Sequence, residues 1–346
     1  MSVFFATAIV AASKAFSFRS LRTSSTRLFS SVSKSSAPPR YNEKDVQLMK
    51  NILYRVRAVN QMPEEVRSSL IEFHIDGVCV GKVDPSIADL VCSADTVFTI
   101  NQDNMLTLTA DAGTTFDSRT RAVARVMEKL RDDGIVQGWR NEDYPVSTGF
   151  YDEPFFVIER AAAAFLGILE YGVHINGLVS SDDGSQPRMW IGRRSPTKSK
   201  YPGMLDHIVA GGQPAGLSLM ENVVKECTEE AGIPEHLTLA GVRPAGAISY
   251  ETYSTKHKAV SRVVLFNYDL YLPADFVPKP VDGEVDEFFL WTIDQVLESM
   301  DPDYPDPIKP NCYSVIIDYL LREGHISPEV PGYLDVLKEL RSGDCR

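Results

Sequence analysis

The sequence lacks any uninterrupted apolar segment long enough to cross a membrane. A spanning helix needs about 20 consecutive apolar residues, and charged residues or glycines break the longest apolar stretches of this chain. We therefore expect no membrane-spanning segment and no membrane partner. The hydrophobic share of 44% in 346 residues is what ordinary globular cores need, and this length allows two domains.

The chain also lacks an excess of positive charge. Its formal net charge is −12, whereas non-specific binding to nucleic acid needs a basic surface. We therefore expect no nucleic-acid partner. A polyanionic substrate would have to be held locally, by a metal ion or by arginines, against the overall charge.

Cysteines are few and widely spaced. The five cysteines include no C-x-x-C pair, which argues against a disulfide framework and against a structural zinc site. Reduced and mostly buried thiols, in a reducing compartment, are the simpler interpretation.

The first 40 residues lack acidic side chains altogether. The first one in the chain is Glu43, and six basic residues lie among many serines before it. This composition is typical of an organelle transit peptide. The segment "RLFSS", residues 27–31, resembles a mitochondrial processing site, so a mitochondrial location is predicted, with the plastid as the alternative.

Residues 41–145 are predicted to form a small α+β domain. The segment "EKDVQLMKNILYRVR" has the apolar spacing of a helix, and several short segments after it have the pattern of strands. "SRTRAVARVMEKLRDDG" is a second predicted helix, which Gly134 ends. We find no catalytic motif in this region.

Residues 146–325 are predicted to form a second domain, a mixed β-sheet covered by helices. The predicted order is two strands, a loop, a helix, three strands and a helix. The predicted fold class is therefore α+β. Residues 326–346 are expected to form a C-terminal helical tail.

The segment "GGQPAGLSLMENVVKECTEEAG", residues 211–232, carries the strongest chemical signal. Its second half is a predicted helix that ends at Gly232. Glu226, Glu229 and Glu230 stand at i, i+3 and i+4 and so share one helix face. Like charges at this spacing cost a few tenths of a kcal/mol per pair, roughly. A divalent cation that prefers oxygen ligands, Mg²⁺ or Mn²⁺, would remove that cost.

This segment resembles the Nudix box, G-x5-E-x7-R-E-U-x-E-E-x-G-U, in which U is an aliphatic residue. Gly211 and the three glutamates stand at family positions, and the resemblance implies that all four hold the metal. It further implies that Glu229 and Glu230 are catalytic. Two positions depart from the pattern, because Leu217 replaces a glutamate and Lys225 replaces an arginine.

The flanking segments are similar to one Nudix subgroup, which has an N-terminal domain of the DUF4743 type and is related to proteins associated with thiamine pyrophosphokinase. The similarity lies in "MWIGRRSPTKSKYPGMLDHIVAGG", "GAISYETY" and "GEVDEFFLW". This resemblance implies a Nudix fold. It also implies hydrolysis of thiamine diphosphate, and preferentially of oxothiamine and oxythiamine diphosphate, to the monophosphates.

Residues outside the box complete the expected site. In this family a glutamate before a strand tryptophan often serves as general base or further metal ligand, and Glu284 is assigned that role, with Glu287 as the alternative. A basic cluster just before the box is expected to bind a diphosphate. Its members are Arg193, Arg194 and Lys198, with Lys200 beside them.

Other functions are weighed against this one. An isopentenyl diphosphate isomerase would need a catalytic cysteine near the box, but no cysteine lies between Cys92 and Cys227, and the next is Cys312. A hydrolase that clears nucleoside diphosphates stays open. So does a binding or regulatory protein with little activity, because Leu217 and Lys225 depart from the box. The expected partner is a small-molecule diphosphate, and a homodimer is left open.

Overall fold

The computed structural model describes residues 41–180 and 186–344, and the structural statements below refer to these residues. The predicted transit segment lies outside them. No helix among them is long and apolar enough to span a membrane.

The described residues form nine α-helices and thirteen strands. The helices are α1 (Glu43–Arg57), α2 (Glu64–Ser69), α3 (Pro85–Ala94), α4 (Phe116–Asp132), α5 (Leu219–Ala231), α6 (Glu235–Gly241), α7 (Ile293–Glu298), α8 (Pro310–Arg322) and α9 (Tyr333–Glu339). The strands are β1 (Ile71–Ile75), β2 (Val78–Val83), β3 (Phe98–Ile100), β4 (Leu106–Leu108), β5 (Asp143–Val146), β6 (Phe156–Glu159), β7 (Leu169–Val179), β8 (Arg188–Arg194), β9 (Leu205–His207), β10 (Val209–Gly212), β11 (Val242–Ser254), β12 (Ala259–Tyr271) and β13 (Val285–Thr292).

The first half of the chain is built on a small sheet with the strand order β2-β1-β4-β3. Helix α4 covers it because its apolar residues recur on one face, and a capping box at Thr115 satisfies its first backbone N–H groups. The hydrophobic cluster of this half extends from residue 71 to residue 168. It therefore includes the β5–β6 hairpin, which spans the boundary predicted at residue 145.

The second half is built on a seven-stranded mixed sheet. The strand order is β11-β12-β7-β8-β13, and β10 pairs with β7 while β9 pairs with β8. Strands β7 and β12 run parallel to each other, and the other pairs in this sheet are antiparallel. Helix α5 packs in a hydrophobic cluster with β7, β10 and β12, whereas α8 packs in a separate one. A mostly antiparallel sheet packed against helices, beside the small sheet of the first half, confirms the predicted α+β class.

Helix α1 packs on the second half of the chain. Met49, Ile52 and Val56 are buried in the same cluster as α8. Arg55 is also buried, and its guanidinium donates hydrogen bonds of 3.1 Å to the carbonyls of Ser299 and Met300. The first helix of the predicted N-terminal domain therefore covers the domain that follows.

Candidate active site

Helix α5 presents the three glutamates of the box. Ser218 caps its N-terminus, since the Oγ accepts the N–H of Glu221 and the Glu221 carboxylate accepts the N–H of Ser218 at 2.9 Å. Gly232 ends the helix with a φ of +60°, a left-handed conformation that suits glycine. Val223 and Cys227 are fully buried and fix the helix against the sheet. These contacts fix the orientation of the glutamate face relative to the sheet.

The carboxylate of Glu226 lies directly against Gly211 of β10. A Cβ atom at position 211 would stand 2.5 Å from Oε1 of Glu226, so a glycine is needed for this approach. The Glu226 side chain is only 13% exposed. Burial raises its pKa, and the neighbouring Lys225 ammonium opposes that rise.

Glu230 is the most buried of the three glutamates. The residue is 8% exposed, and its Oε2 accepts the backbone N–H of Ala210 at 3.0 Å. Burial raises its pKa well above the usual range, and the negative charges of Glu226, Asp206 and Glu284 raise it further. A carboxylate in this position is under-compensated unless a cation joins it.

Lys225 supplies the positive charge between the other two glutamates. Its Nζ lies 2.9 Å from Oε2 of Glu229 and 3.2 Å from Oε1 of Glu226. Glu229 is half exposed, with 51% of its side chain accessible. The three carboxylates form a set of oxygen ligands, which fits the hard cations Mg²⁺ and Mn²⁺.

Of the two candidate bases, Glu284 lies beside this cluster. Its charge contributes to the raised pKa of Glu230. Although burial opposes ionisation of Glu284, the contact with the Lys198 ammonium holds its pKa below the usual value. Glu287 instead pairs with Arg193 on the adjacent strand, at 3.2 Å.

The predicted basic cluster divides into two groups. Arg193 binds both carboxylate oxygens of Asp306, at 3.1 and 2.6 Å. Arg194 binds the carboxylate of Asp206 at 2.6 Å and two backbone carbonyls of the following loop. The contacts therefore give both arginines structural partners. Lys198 is the member that the structure brings to a site glutamate, since it contacts Glu284.

A buried polar network around Asp206 lies behind the glutamates, and no sequence motif predicted it. The Asp206 carboxylate accepts hydrogen bonds from Lys309 at 3.1 Å and from the Cys312 thiol at 2.7 Å. Burial favours the neutral acid, but the charges of Lys309 and Arg194 outweigh it and keep the pKa of Asp206 far below its usual range. The sequence signal was a single acidic residue inside the apolar segment "MLDHIV".

Two histidines extend this network. Nδ1 of His174 lies 3.1 Å from Nδ1 of His207, and burial lowers the pKa of His207 to about 4. Together with Cys312, they place three possible metal-ligand atoms within 4.8 Å of one another. However, the ammonium of Lys309 and the guanidinium of Arg194 lie on Asp206 beside them. Two positive charges oppose a further cation, so we assign this cluster a structural role.

The β5–β6 hairpin of the first half reaches the loop of the box. The backbone N–H of Ala215 donates to the carbonyl of Asp143 at 2.8 Å. A Cβ atom at Gly212 would overlap the hydroxyl of Tyr144 and stand 2.9 Å from Cζ of Arg160. Tyr144 and Arg160 therefore pack on β10 next to the box loop, on the face opposite Glu226, although both precede the box by more than 50 residues in the sequence.

We expect the stability of the Glu230→Gln variant relative to the unaltered protein to increase with pH when metal is chelated. Because the folded state raises the pKa of Glu230 above its usual 4.5, the unfolded chain releases this proton first. The contribution of Glu230 to the free energy of unfolding is thus full below about pH 4.5. It declines as pH rises towards and through the pKa of Glu230 in the folded state. Thermal unfolding of both proteins in a chelator, from pH 5 to pH 8, measures the difference. Parallel stability curves would contradict the assigned burial.

Comparison with known proteins yields two family matches. A model described as the NUDIX domain matches residues 171–312, and a model described as a domain of unknown function (DUF4743) matches residues 51–170. Nudix hydrolases generally use divalent metal ions and act on small-molecule substrates. The two matches together cover the described sheets of both halves.

Three relatives are similar over most of the chain. Nudix hydrolase 20, chloroplastic, of Arabidopsis thaliana is 42% identical over 312 residues, which cover 88% of this chain and 80% of the relative. Nudix hydrolase 24, chloroplastic, of the same plant is 44% identical over 284 residues, which cover 81% and 75%. An uncharacterized protein of Saccharomyces cerevisiae is 35% identical over 238 residues, which cover 65% and 68%.

These relatives correct one prediction from the sequence. Both Arabidopsis proteins are named chloroplastic, which points to the plastid, so the predicted mitochondrial location is wrong. The prediction depended on a short resemblance to a processing site, and such basic, serine-rich segments are common to both organelles' transit peptides.

The fold, the box glutamates and these similarities agree on one family. The identities exceed 40% over three quarters or more of each Arabidopsis relative, and a DUF4743 domain precedes the NUDIX domain, as predicted. The chain therefore belongs to the Nudix hydrolases, as a pyrophosphohydrolase with an N-terminal DUF4743 domain.

Proposed function

We propose that this Nudix hydrolase cleaves a small-molecule diphosphate in the plastid, with Mg²⁺ or Mn²⁺ held by Glu226, Glu229, Glu230 and the backbone of Gly211. One observation carries the proposal. Three carboxylates share a helix face, two of them are buried enough for their pKa values to rise, and a lysine stands between Glu226 and Glu229. Such a cluster is explained by a divalent cation and a phosphate substrate, but not by helix packing.

The reaction is attack of water on a phosphorus atom of the diphosphate, with cleavage of the bridging P–O bond. The metal, when bound, neutralises charge on phosphate oxygens and makes water more acidic. Glu284 is ionised at neutral pH because Lys198 lowers its pKa, so its carboxylate is able to accept the proton of the attacking water. Lys198 orients this carboxylate and adds a positive charge at the same edge of the site.

We propose thiamine diphosphate and its oxidised forms as the substrates. Support comes from the flanking segments, which are similar to the thiamine-associated subgroup, and from the match to DUF4743 in the first half. Nucleoside diphosphates are the competing substrate class. Lys225 favours a third outcome, weak or absent turnover, because its ammonium already lies between Glu226 and Glu229.

A substrate panel tests the proposal. We expect the purified protein to release monophosphate from thiamine, oxothiamine and oxythiamine diphosphates in the presence of Mg²⁺ or Mn²⁺, with the oxidised forms preferred, and a chelator to abolish release. Chromatography of the products gives the rates. Faster turnover of ADP or GDP would show that the protein is a hydrolase that clears nucleoside diphosphates. Tight binding of a diphosphate without turnover would show a binding protein instead.

A further inference from the structure

Four cations near the box in the Nudix half, including Lys198 on Glu284, are already paired with carboxylates. Among residues 186–344, Arg193 and Arg194 direct their guanidinium groups to Asp306 and Asp206. Lys225 is held by the glutamates of its own helix. A bound diphosphate keeps negative charge beyond what one divalent cation neutralises, and arginine is the side chain best suited to it. A further cation should therefore border the site.

Arg160, at the start of the 3-10 helix Arg160–Phe165, meets this need. Its Cζ is the atom that would stand 2.9 Å from a Cβ at Gly212, so the guanidinium approaches β10 from the face opposite the one on which Glu226 contacts Gly211. The side chain is 39% exposed. Within residues 41–180 and 186–344, NH1 is its one side-chain nitrogen with a hydrogen bond, to Glu142 at 2.9 Å. The remaining N–H groups are available to a ligand.

The position of Arg160 is fixed from two sides before any ligand binds. Its backbone N–H donates to the carbonyl of Glu142 at 2.8 Å, and the hairpin is joined to the box loop by the 2.8 Å bond between Ala215 and Asp143. The Cζ atom also lies 5.5 Å from the centre of the Tyr144 ring. A guanidinium restrained in this way loses little conformational freedom when it binds phosphate.

The charges of Arg160 and of the metal-binding face act on the same group. The pKa of the buried Tyr144 phenol is raised by burial, lowered by Arg160 and raised again by Glu226. Arg160 therefore shares its electrostatic surroundings with a glutamate that is expected to bind metal.

We propose that Arg160 binds the diphosphate of the substrate, so that the DUF4743 domain completes the substrate site of the Nudix domain. This inference rests on the proposed function. It assigns the N-terminal domain a direct part in substrate binding, and it explains why Gly212, between the hairpin and helix α5, has no room for a side chain.

Kinetics of the full chain with Arg160→Gln test this assignment. We expect KM for the diphosphate substrate to rise about tenfold to a hundredfold, the usual effect of losing charge-assisted hydrogen bonds, with a smaller change in kcat. Arg160→Lys should give a smaller increase. Arg125→Gln is the matched control, because Arg125 is an exposed arginine of the same half that pairs with Asp95. It should leave KM unchanged.

A binding measurement separates this inference from the proposed function. Calorimetry with imidodiphosphate, a diphosphate that resists hydrolysis, should show the same loss of affinity in Arg160→Gln in the presence of Mg²⁺, and Mn²⁺ alone should bind the variant and the unaltered protein equally. Unchanged KM and affinity in Arg160→Gln would overturn the inference, while turnover by the unaltered protein would keep the proposed function. Lost affinity without any turnover would support the Arg160 site and contradict hydrolysis.

Glu142→Gln distinguishes ligand binding from a merely structural role. If Arg160 only held the hairpin through Glu142, either substitution would weaken imidodiphosphate binding alike, and that result would overturn the inference. If Arg160 binds the ligand, removal of the competing Glu142 carboxylate should preserve or improve the affinity. This variant also decides the question where Arg160→Gln folds poorly.

Discussion

Replacing Glu230 with glutamine is expected to lower kcat/KM for diphosphate hydrolysis by about a thousandfold or more, the scale of a lost charge-stabilising group in a buried site. Glutamine keeps the size of the side chain and an oxygen that accepts the N–H of Ala210. It removes the negative charge that the metal requires. Because the charge of Glu230 is under-compensated without metal, the variant should fold at least as well as the unaltered protein.

Steady-state kinetics with saturating Mg²⁺, beside thermal unfolding, check this result. Glu221→Gln is the matched control, since it lies on the same helix and only caps its N-terminus, where glutamine serves as well as glutamate. We expect that control to retain full activity. Full activity in Glu230→Gln would show that the metal site has been assigned to the wrong residues.

Replacing Arg262 with alanine is expected to lower the free energy of unfolding by about 3–5 kcal/mol, the cost of removing one partner of a buried ion pair. Arg262 is 1% exposed. Its guanidinium lies 3.5 Å from Glu251, 2.8 Å from Asp344 and 3.2 Å from the carbonyl of Gly167. Without it, the buried carboxylate of Glu251 loses a compensating charge, and the contact between β12 and the segment before β7 weakens.

Arg67→Ala provides the comparison, because Arg67 contacts the same Glu251 from a more exposed position. We expect that substitution to cost about 0–1 kcal/mol, as exposed ion pairs do. Chemical denaturation of both variants measures the two values. Equal losses would show that burial does not set the strength of this network.

The sequence predicted those parts of the site that depend on local periodicity. Glu226, Glu229 and Glu230 share a face because a helix repeats every 3.6 residues, whatever surrounds it. The long strands β11 and β12 were likewise predicted from their own composition. Such features are predictable because the residues within about a dozen positions along the chain determine them.

Partners of charged side chains could not be predicted in the same way. Arg193 and Arg194 stand just before the box and were assigned to the substrate, but their carboxylate partners are Asp306 and Asp206. Asp306 is more than 100 residues away in the sequence. An ion pair depends on which strand ends meet in space, and periodicity does not contain that information.

The sequence by itself determined the family and the helix that carries the glutamates, and it predicted a cation there, because each follows from residues close together in the chain. Only the tertiary structure decided which cations remain free and which half of the chain supplies them. Arg160 and Tyr144 reach Gly212 through the docking of a hairpin, and α1 packs beside α8 from the other end of the chain. These contacts join residues far apart in sequence, so they exist only once the core has closed.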